Sequence, residues 1–311
     1  MTSIHTFAVL VVAFGLLLAM PLDAQRSSIA FRGFDGNDQI WIVDSNGSEP
    51  VSLIGHFGPN VHTADPDWSP DGEWIAFVLA TISNAKDLWI MRSDGTEARE
   101  LVRQGRTNND YSTLKEPAWS PNGSRIVFTD ISSRMYFVDI DNPVATFVAS
   151  PEFQGHPDWT PDGQQIVFSG SGSLIFVSSV GGGDAQRIGD QDHGYGAPEV
   201  SPDGKRIVFW TSHVGISVMD IDGSNERFLV DAKDASWSPD AKQIAVTLNG
   251  TDISIINADG TGLHTILESA TIRNIGELAW SPLLGDDTAV PSNSWGVLKQ
   301  PGLQLRNTAI P

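Results

Sequence analysis

The sequence predicts an all-β fold, a six-bladed β-propeller of four-stranded antiparallel blades closed by one C-terminal strand joining three N-terminal strands. Three observations carry that expectation. The string Trp-Ser-Pro-Asp-Gly or a near copy occurs six times, beginning at Trp68, Trp119, Trp159, Val200, Trp237 and Trp280, at separations of 37 to 51 residues. A period near forty is what a four-stranded blade occupies. Each copy is followed by short β-branched and aromatic runs punctuated by Asp-Gly, Asn-Gly or Gly-rich turns. Finally, the strands left over at the two ends add up to one more blade.

The elements follow in order. Ahead of the first copy lie three strand-like segments, Ile29-Ala30-Phe31, Ile40 to Asp44 and Val51 to Leu53, the last two joined across Asn46-Gly47. The copy at Trp159 shows the repeating logic. Pro161 presets φ at the first central position of a tight turn, and Asp162-Gly163 supply a side-chain acceptor and tolerance of positive φ. Gln165 to Ser169 and Leu174 to Ser178 then read as strands by their β-branched and aromatic content. Gly181 to Asp184 turn the chain into a fourth strand carrying Ile188. Asp94-Gly95, Asp222-Gly223 and Asp259-Gly260 hold that last turn in other copies, as hairpin signals. After the last full repeat only Leu278 to Ser281 remains strand-like. One strand plus the three N-terminal ones makes the closing blade, and pairing them covers edges that would otherwise be open.

Within the repeats, the turn is followed by Ile-x-Phe, as in Ile75-Ala76-Phe77 and Ile207-Val208-Phe209, and later by Leu88-Trp89-Ile90-Met91 or Ile216 to Asp220. This tandem pattern resembles the WD-like propeller repeats of the TolB family, over residues 28 to 282, the propeller part only. The resemblance implies the fold, and it implies a non-catalytic platform of the cell envelope that presents one face to a protein or peptide partner.

Residues 1–24 read as a signal peptide: Phe7 to Ala19 form a thirteen-residue apolar stretch, and a small residue, Ala24, stands at a plausible cleavage point. The n-region carries only His5, with no Lys or Arg, so a retained anchor is the alternative. Residues 25–282 are then the propeller, and 283–311 a flexible tail with an apolar island at Ser294 to Lys299. A periplasmic or secreted monomer is expected, with no membrane span once the leader is cut. There is no cysteine, so neither disulfides nor a lipid-bearing cysteine can form. The balance of 38 acidic residues against 19 Lys and Arg, a net charge of −19, disfavours nucleic acid, which requires a positive surface.

Chemical motifs are sparse. The chain has no Gly-x-Ser-x-Gly elbow, no His-Glu-x-x-His and no Walker loop. Asp44-Ser45-Asn46-Gly47, Asp220 to Gly223 and Asn257 to Gly260 look like the first half of a calcium loop but lack its later Glu, and hairpin turns explain them. Asn46, Asn122 and Asn249 match the glycosylation acceptor pattern, again at expected turns. The tryptophans of the repeat are expected between blades, as packing groups.

One constellation stands out. Three residues before the first residue of each copy lie Asp65, Glu116, His156, Ala197, Asp234 and Glu277. If the first strand of every blade lines the channel, these positions form a ring, with Asp67, Asp158 and Glu199 two residues on and His62 and His193 in the loops entering the same strands. Converging carboxylates raise one another's pKa or hold a hard cation. The plainer account makes them solvated loop acids ahead of a proline. The candidate binding residues at the channel mouth are therefore Asp65, Glu116, His156, Asp234, Glu277, His62 and His193. No catalytic residue is assigned. The main functional expectation is a protein- or peptide-binding platform without a firm cofactor. The alternative is a metal-dependent propeller enzyme of lyase or lactonase type, with a divalent cation at the mouth.

Overall fold

The structure, a computed structural model, describes residues 27–54, 57, 61–80, 86–103, 113–148, 153–189, 194–212 and 214–282. The leader, the tail and His193 lie outside them. Twenty-four strands form six four-stranded sheets, and no helix occurs among the described residues.

The chain begins with β1 (Ser28–Phe34), β2 (Asp38–Asp44) and β3 (Val51–Ser52). Five full blades follow. The first is β4 (His62–Trp68), β5 (Trp74–Ala80), β6 (Lys86–Arg92) and β7 (Arg99–Val102); the second is β8 (Leu114–Trp119), β9 (Arg125–Asp130), β10 (Met135–Asp139) and β11 (Thr146–Val148). The third is β12 (Phe153–Trp159), β13 (Gln165–Gly170), β14 (Leu174–Ser179) and β15 (Gln186–Ile188). The fourth is β16 (Tyr195–Val200), β17 (Arg206–Thr211), β18 (Gly215–Asp220) and β19 (Arg227–Val230). The fifth is β20 (Ala235–Trp237), β21 (Gln243–Leu248), β22 (Asp252–Asn257) and β23 (His264–Glu268), before the final β24 (Arg273–Trp280).

That last strand completes the closing blade, in the order β24-β1-β2-β3. Ile29 lies opposite Trp280 and Ala30 opposite Ala279, so the expected closure is present. Beyond the ladder, the Ser28 N–H donates to Ser281 Oγ at 2.9 Å and the Ser281 N–H to Ser28 O at 2.8 Å. The strand is longer than the sequence suggested, because Arg273 still pairs with Phe34 and Gly276 with Arg32.

The core lies between blades. Second-strand residues Phe31, Phe77, Phe128, Phe168 and Phe209 are fully buried. One cluster joins Ala30, Ile40 and Ile42 of the closing blade to Ile75, Phe77 and Met91 of the next. Removing such a phenylalanine to alanine costs about 3–5 kcal/mol, because the rigid sheets on either side cannot collapse into the void.

Most Asp-Gly and Asn-Gly hairpins adopt a form that the two-residue signal did not specify. Gly95, Gly223, Gly260 and Gly47 donate their N–H to the carbonyl three residues back and carry positive φ. This is a type I turn followed by a glycine bulge. The Ser-Pro-Asp-Gly turns close in the same way, as with Gly163 N–H to Thr160 O at 2.8 Å.

Candidate functional site

All six equivalent positions meet. A cavity of about 1090 Å³ along the ring axis is lined by Asp65, Glu116, His156, Ala197, Asp234 and Glu277. Five of the six are strand rather than loop residues: Asp65, Glu116, His156, Ala197 and Glu277 lie within first strands, as does His62, which opens β4, whereas Asp234 precedes β20.

A bulge places them. In β4 the ladder to β5 runs through Ala64 opposite Val78 and resumes at Asp67 opposite Ala76, leaving Asp65 and Pro66 unpaired. The same skip occurs in β8, β12 and β16. Asp65, Glu116, His156, Ala197 and Glu277 all have φ between 46 and 56°, a left-handed conformation that costs an L-residue roughly 1–2 kcal/mol. Asp234 is the exception. Its blade has only the short β20, which starts one residue later.

The strain is offset across blade boundaries. Glu277 Oε2 accepts the Asp65 N–H at 2.7 Å, Asp65 Oδ2 the Glu116 N–H at 3.0 Å, and Glu116 Oε2 the His156 N–H at 2.8 Å. Asp234 Oδ2 takes the Leu278 N–H at 2.8 Å. A hydrogen bond to a charged acceptor is worth about 1.5–3 kcal/mol, enough to balance the left-handed residue it holds. At Ala197 the chain of carboxylates is interrupted, and Ser169 Oγ of the preceding blade accepts the N–H instead, at 3.2 Å.

A second tier repeats the device. Asp67 accepts the Trp119 N–H at 2.6 Å, Asp158 the Val200 N–H at 2.7 Å, Glu199 the Trp237 N–H at 2.8 Å, and Ser236 Oγ the Trp280 N–H at 3.0 Å. The indoles form a third tier. Trp68, Trp159 and Trp237 donate Nε1–H to the backbone oxygens of Ala279, Ala118 and Glu199 in the preceding blade, at 3.1 to 3.2 Å. These three indoles join blades by hydrogen bonds, and Trp119 packs across a blade boundary against Ala76, Leu88 and Ile90.

Charge is distributed unevenly. Arg32 Nε donates to Glu277 Oε1 at 2.7 Å and its Nη1 to Asp38 Oδ1 at 3.2 Å. Lys115 Nζ lies 2.8 Å from Glu116 Oε1, with His156 Nε2 at 3.4 Å from the same oxygen. His62 stands 3.3 Å from Asp38, away from the ring carboxylates. Asp67, Asp158 and Glu199 have no cationic partner among the described residues.

Their titration reflects this. Burial, with Asp158 adding to it, pushes Asp67 up to about 7, and burial takes Asp158 and Asp234 up to about 6. Glu199 is raised well above the carboxylate range by burial and then by Asp158 and Asp67. Asp65 rises by burial and by Glu277 beside it. These side chains are half-buried rather than fully enclosed, and that exposure, with the N–H donors, limits the rise. For Glu116 burial also pushes upward, but His156, the His156 N–H and Lys115 together outweigh it and hold the carboxyl below its ordinary value.

Among the described residues, no group of three or more His, Asp or Glu side chains is placed to share one metal ion. Arg32, Lys115 and Ser169 were missed by sequence reasoning. Arg32 was findable, since it directly follows the phenylalanine position in Ile29-Ala30-Phe31, where Thr129 and Ser169 stand in other blades.

The family model described as the TolB beta propeller domain matches residues 108–284, more than half of the chain. The chain belongs to that family. Among solved structures similar to this TolB-type propeller is TolB from Acinetobacter baumannii, at 21% identity and a TM-score of 0.68, covering 82% of this chain and 67% of that one. Another is an oligogalacturonate lyase in complex with manganese, at 12% identity and a TM-score of 0.50, covering 78% of this chain and 74% of the lyase. At such identities both show the fold alone. A curated relative, described as an uncharacterized peptidase YuxL of Bacillus subtilis (strain 168), is 42% identical over 67 residues, 22% of this chain and 9% of that protein. The match thus spans under a tenth of that relative's length.

Proposed function

We propose that this TolB-type propeller is a non-catalytic platform of the cell envelope, a periplasmic or secreted monomer whose channel mouth takes a segment of a protein or peptide partner. The rim would be formed by Asp65, Glu116, His156, Asp234, Glu277, His62 and His193. The observation that carries the reading is the commitment of the mouth carboxylates to backbone N–H groups of the next blade. Groups that hold the ring together are poorly placed to shuttle protons, yet they leave a rim of carboxylates with cations beside Glu277 and Glu116, suited to a polar peptide. A photoreactive residue at His156 or Lys233 should give one discrete protein adduct in the exporting host, and one at Phe228 on outer strand β19 should give none. Equal labelling from all three positions sinks the proposal.

The metal-dependent reading draws on the structural likeness to a manganese-bound lyase and on carboxylates that line one cavity, although no three of the described side chains are placed to share an ion. Its test is a manganese titration. A rise in Tm that is lost in the Asp234→Asn, Glu277→Gln double variant would favour it over the platform.

A further inference from the structure

Three Asn-Gly pairs occur in the chain, Asn46-Gly47, Asn122-Gly123 and Asn249-Gly250, and all three asparagines are exposed. Asparagine followed by glycine is the pair most open to deamidation, since glycine puts no side chain in the path of the attacking nitrogen. Exposure does not separate the three, but turn geometry does.

In the first two pairs asparagine is the third residue of a type I turn, so the glycine nitrogen is the donor that closes it. Gly47 N–H is held by Asp44 O and Gly123 N–H by Ser120 O, both at 2.9 Å. Asn122 is further fixed, its Oδ1 accepting from Ser120 Oγ, the Ser124 N–H and Ser124 Oγ at 2.8 to 3.1 Å. Asn249-Gly250 is different. Both residues have positive φ, 55° and 73°, and the turn is closed by Thr251 N–H to Leu248 O at 3.4 Å. This is a type I′ turn, in which asparagine comes second and the glycine nitrogen closes nothing. Neither the Gly250 N–H nor the Asn249 amide has a hydrogen-bond partner among the described residues, and apart from its two chain neighbours no described residue lies within 4 Å of where a Gly250 Cβ would stand.

We infer that Asn249 is a self-modifying site of this protein, deamidating through Gly250 while Asn46 and Asn122 are protected by their turns. The Gly250 nitrogen, having given its proton to solvent base, bonds to Asn249 Cγ. The Cγ–Nδ2 bond breaks, and the departing nitrogen takes a proton back from solvent and leaves as ammonia. Water then opens the resulting succinimide, at the side-chain carbonyl to give aspartate or at the backbone carbonyl to give isoaspartate. No oxidant or reductant is needed.

The place matters because this turn touches the ring closure. Gly250 O accepts the Ile275 N–H of β24 at 2.9 Å, and Asn249 and Gly250 line the mouth with Lys233 and Asp234. Either product adds a negative charge there. Isoaspartate also inserts a methylene into the backbone of the turn that holds β24, so ageing at this one position would loosen closure.

The test is to incubate the folded protein in mildly alkaline buffer below its Tm and map isoaspartate and aspartate by peptide mass spectrometry over time. Asn249 should convert faster than Asn46 and Asn122 by roughly fivefold or more, the factor set by releasing one net backbone hydrogen bond. In denaturant the three rates should converge. Equal rates in the folded protein, or faster loss of Asn46 or Asn122, would overturn the site. The purified isoaspartyl form should melt below Asn249→Asp, which has the same charge and an ordinary backbone. Identical melting of the two would refute the link to closure.

Discussion

At the scale of single residues, the propeller places carboxylates where their charge is costly and uses the same oxygens to hold backbone. Raised carboxyl pKa values mean that the folded chain keeps protons that the unfolded chain has released. Between the unfolded value near 4 and the folded values of about 6 for Asp158 and Asp234 and about 7 for Asp67, stability therefore falls as pH rises. The depressed Glu116 has the opposite sign, its contribution being lost as pH falls through its lowered pKa. The Tm should thus peak in mildly acidic buffer and decline toward pH 8. Glu199→Gln, whose amide oxygen can still accept the Trp237 N–H, should flatten that decline; an unchanged pH profile would show that burial at Glu199 carries no such cost. A second residue-scale expectation concerns Ala241, which occupies with φ 57° the place that Gly72, Gly123, Gly163 and Gly204 hold in other turns. Relieving a left-handed alanine gains about 1–2 kcal/mol, less the extra unfolded-state entropy of glycine of about 0.4–1 kcal/mol. Ala241→Gly should raise the denaturation midpoint slightly, and a fall would mean that the methyl, buried against its neighbours, outweighs the backbone.

At the scale of strands and blades, neighbours are joined by three tiers of side-chain-to-backbone bonds, and the indole tier can be tested by contrast. Trp159 and Trp119 are similarly buried, 6% and 8% exposed, but Trp159 Nε1–H reaches Ala118 O while Trp119 Nε1 has no hydrogen-bond partner among the described residues. Both lose similar area on change to phenylalanine. Trp159→Phe should cost about 1 kcal/mol more than Trp119→Phe, because only the first breaks a bond and orphans a carbonyl. Equal losses in urea denaturation would assign the tryptophans to packing alone. Strand order and closure were legible because turn chemistry and a period near forty are local signals. The ring of Asp65, Glu116, His156, Asp234 and Glu277 was legible as a set of equivalent positions, since alignment of the repeats finds it. Its use was not. A left-handed bulge ahead of proline has no signature in these residue types, and the partner of each mouth carboxylate is a backbone N–H in another blade, 40 to 51 residues away in three of the four bonds and 212 residues away in the one that joins the two ends of the chain.

At the scale of the whole molecule, the ring has one seam, and β24 holds it. Strand pairing to β1, the Trp68 indole on Ala279 O, Glu277 on the Asp65 N–H, and the Leu278 N–H on Asp234 all depend on this segment. Each tie is worth about 0.5–3 kcal/mol, and a domain is stable by only about 5–15 kcal/mol, so losing them together approaches the whole margin. Deleting residues 273–311 should therefore leave β1 as an open edge, with unpaired N–H and C=O groups ready to template association. The truncated chain is expected to unfold, or to run as an oligomer by size-exclusion chromatography with light scattering. Ending the chain after Pro282 keeps β24 whole and serves as the comparator, with a Tm close to that of the full chain. Partial damage should act in the same direction: Ser281→Ala removes the acceptor of the Ser28 N–H at the end of the seam and should lower the Tm without opening the ring. A monomeric 273–311 deletion with the parental Tm would mean that the five remaining blades close without the seam, and closure by the chain ends would have to be abandoned.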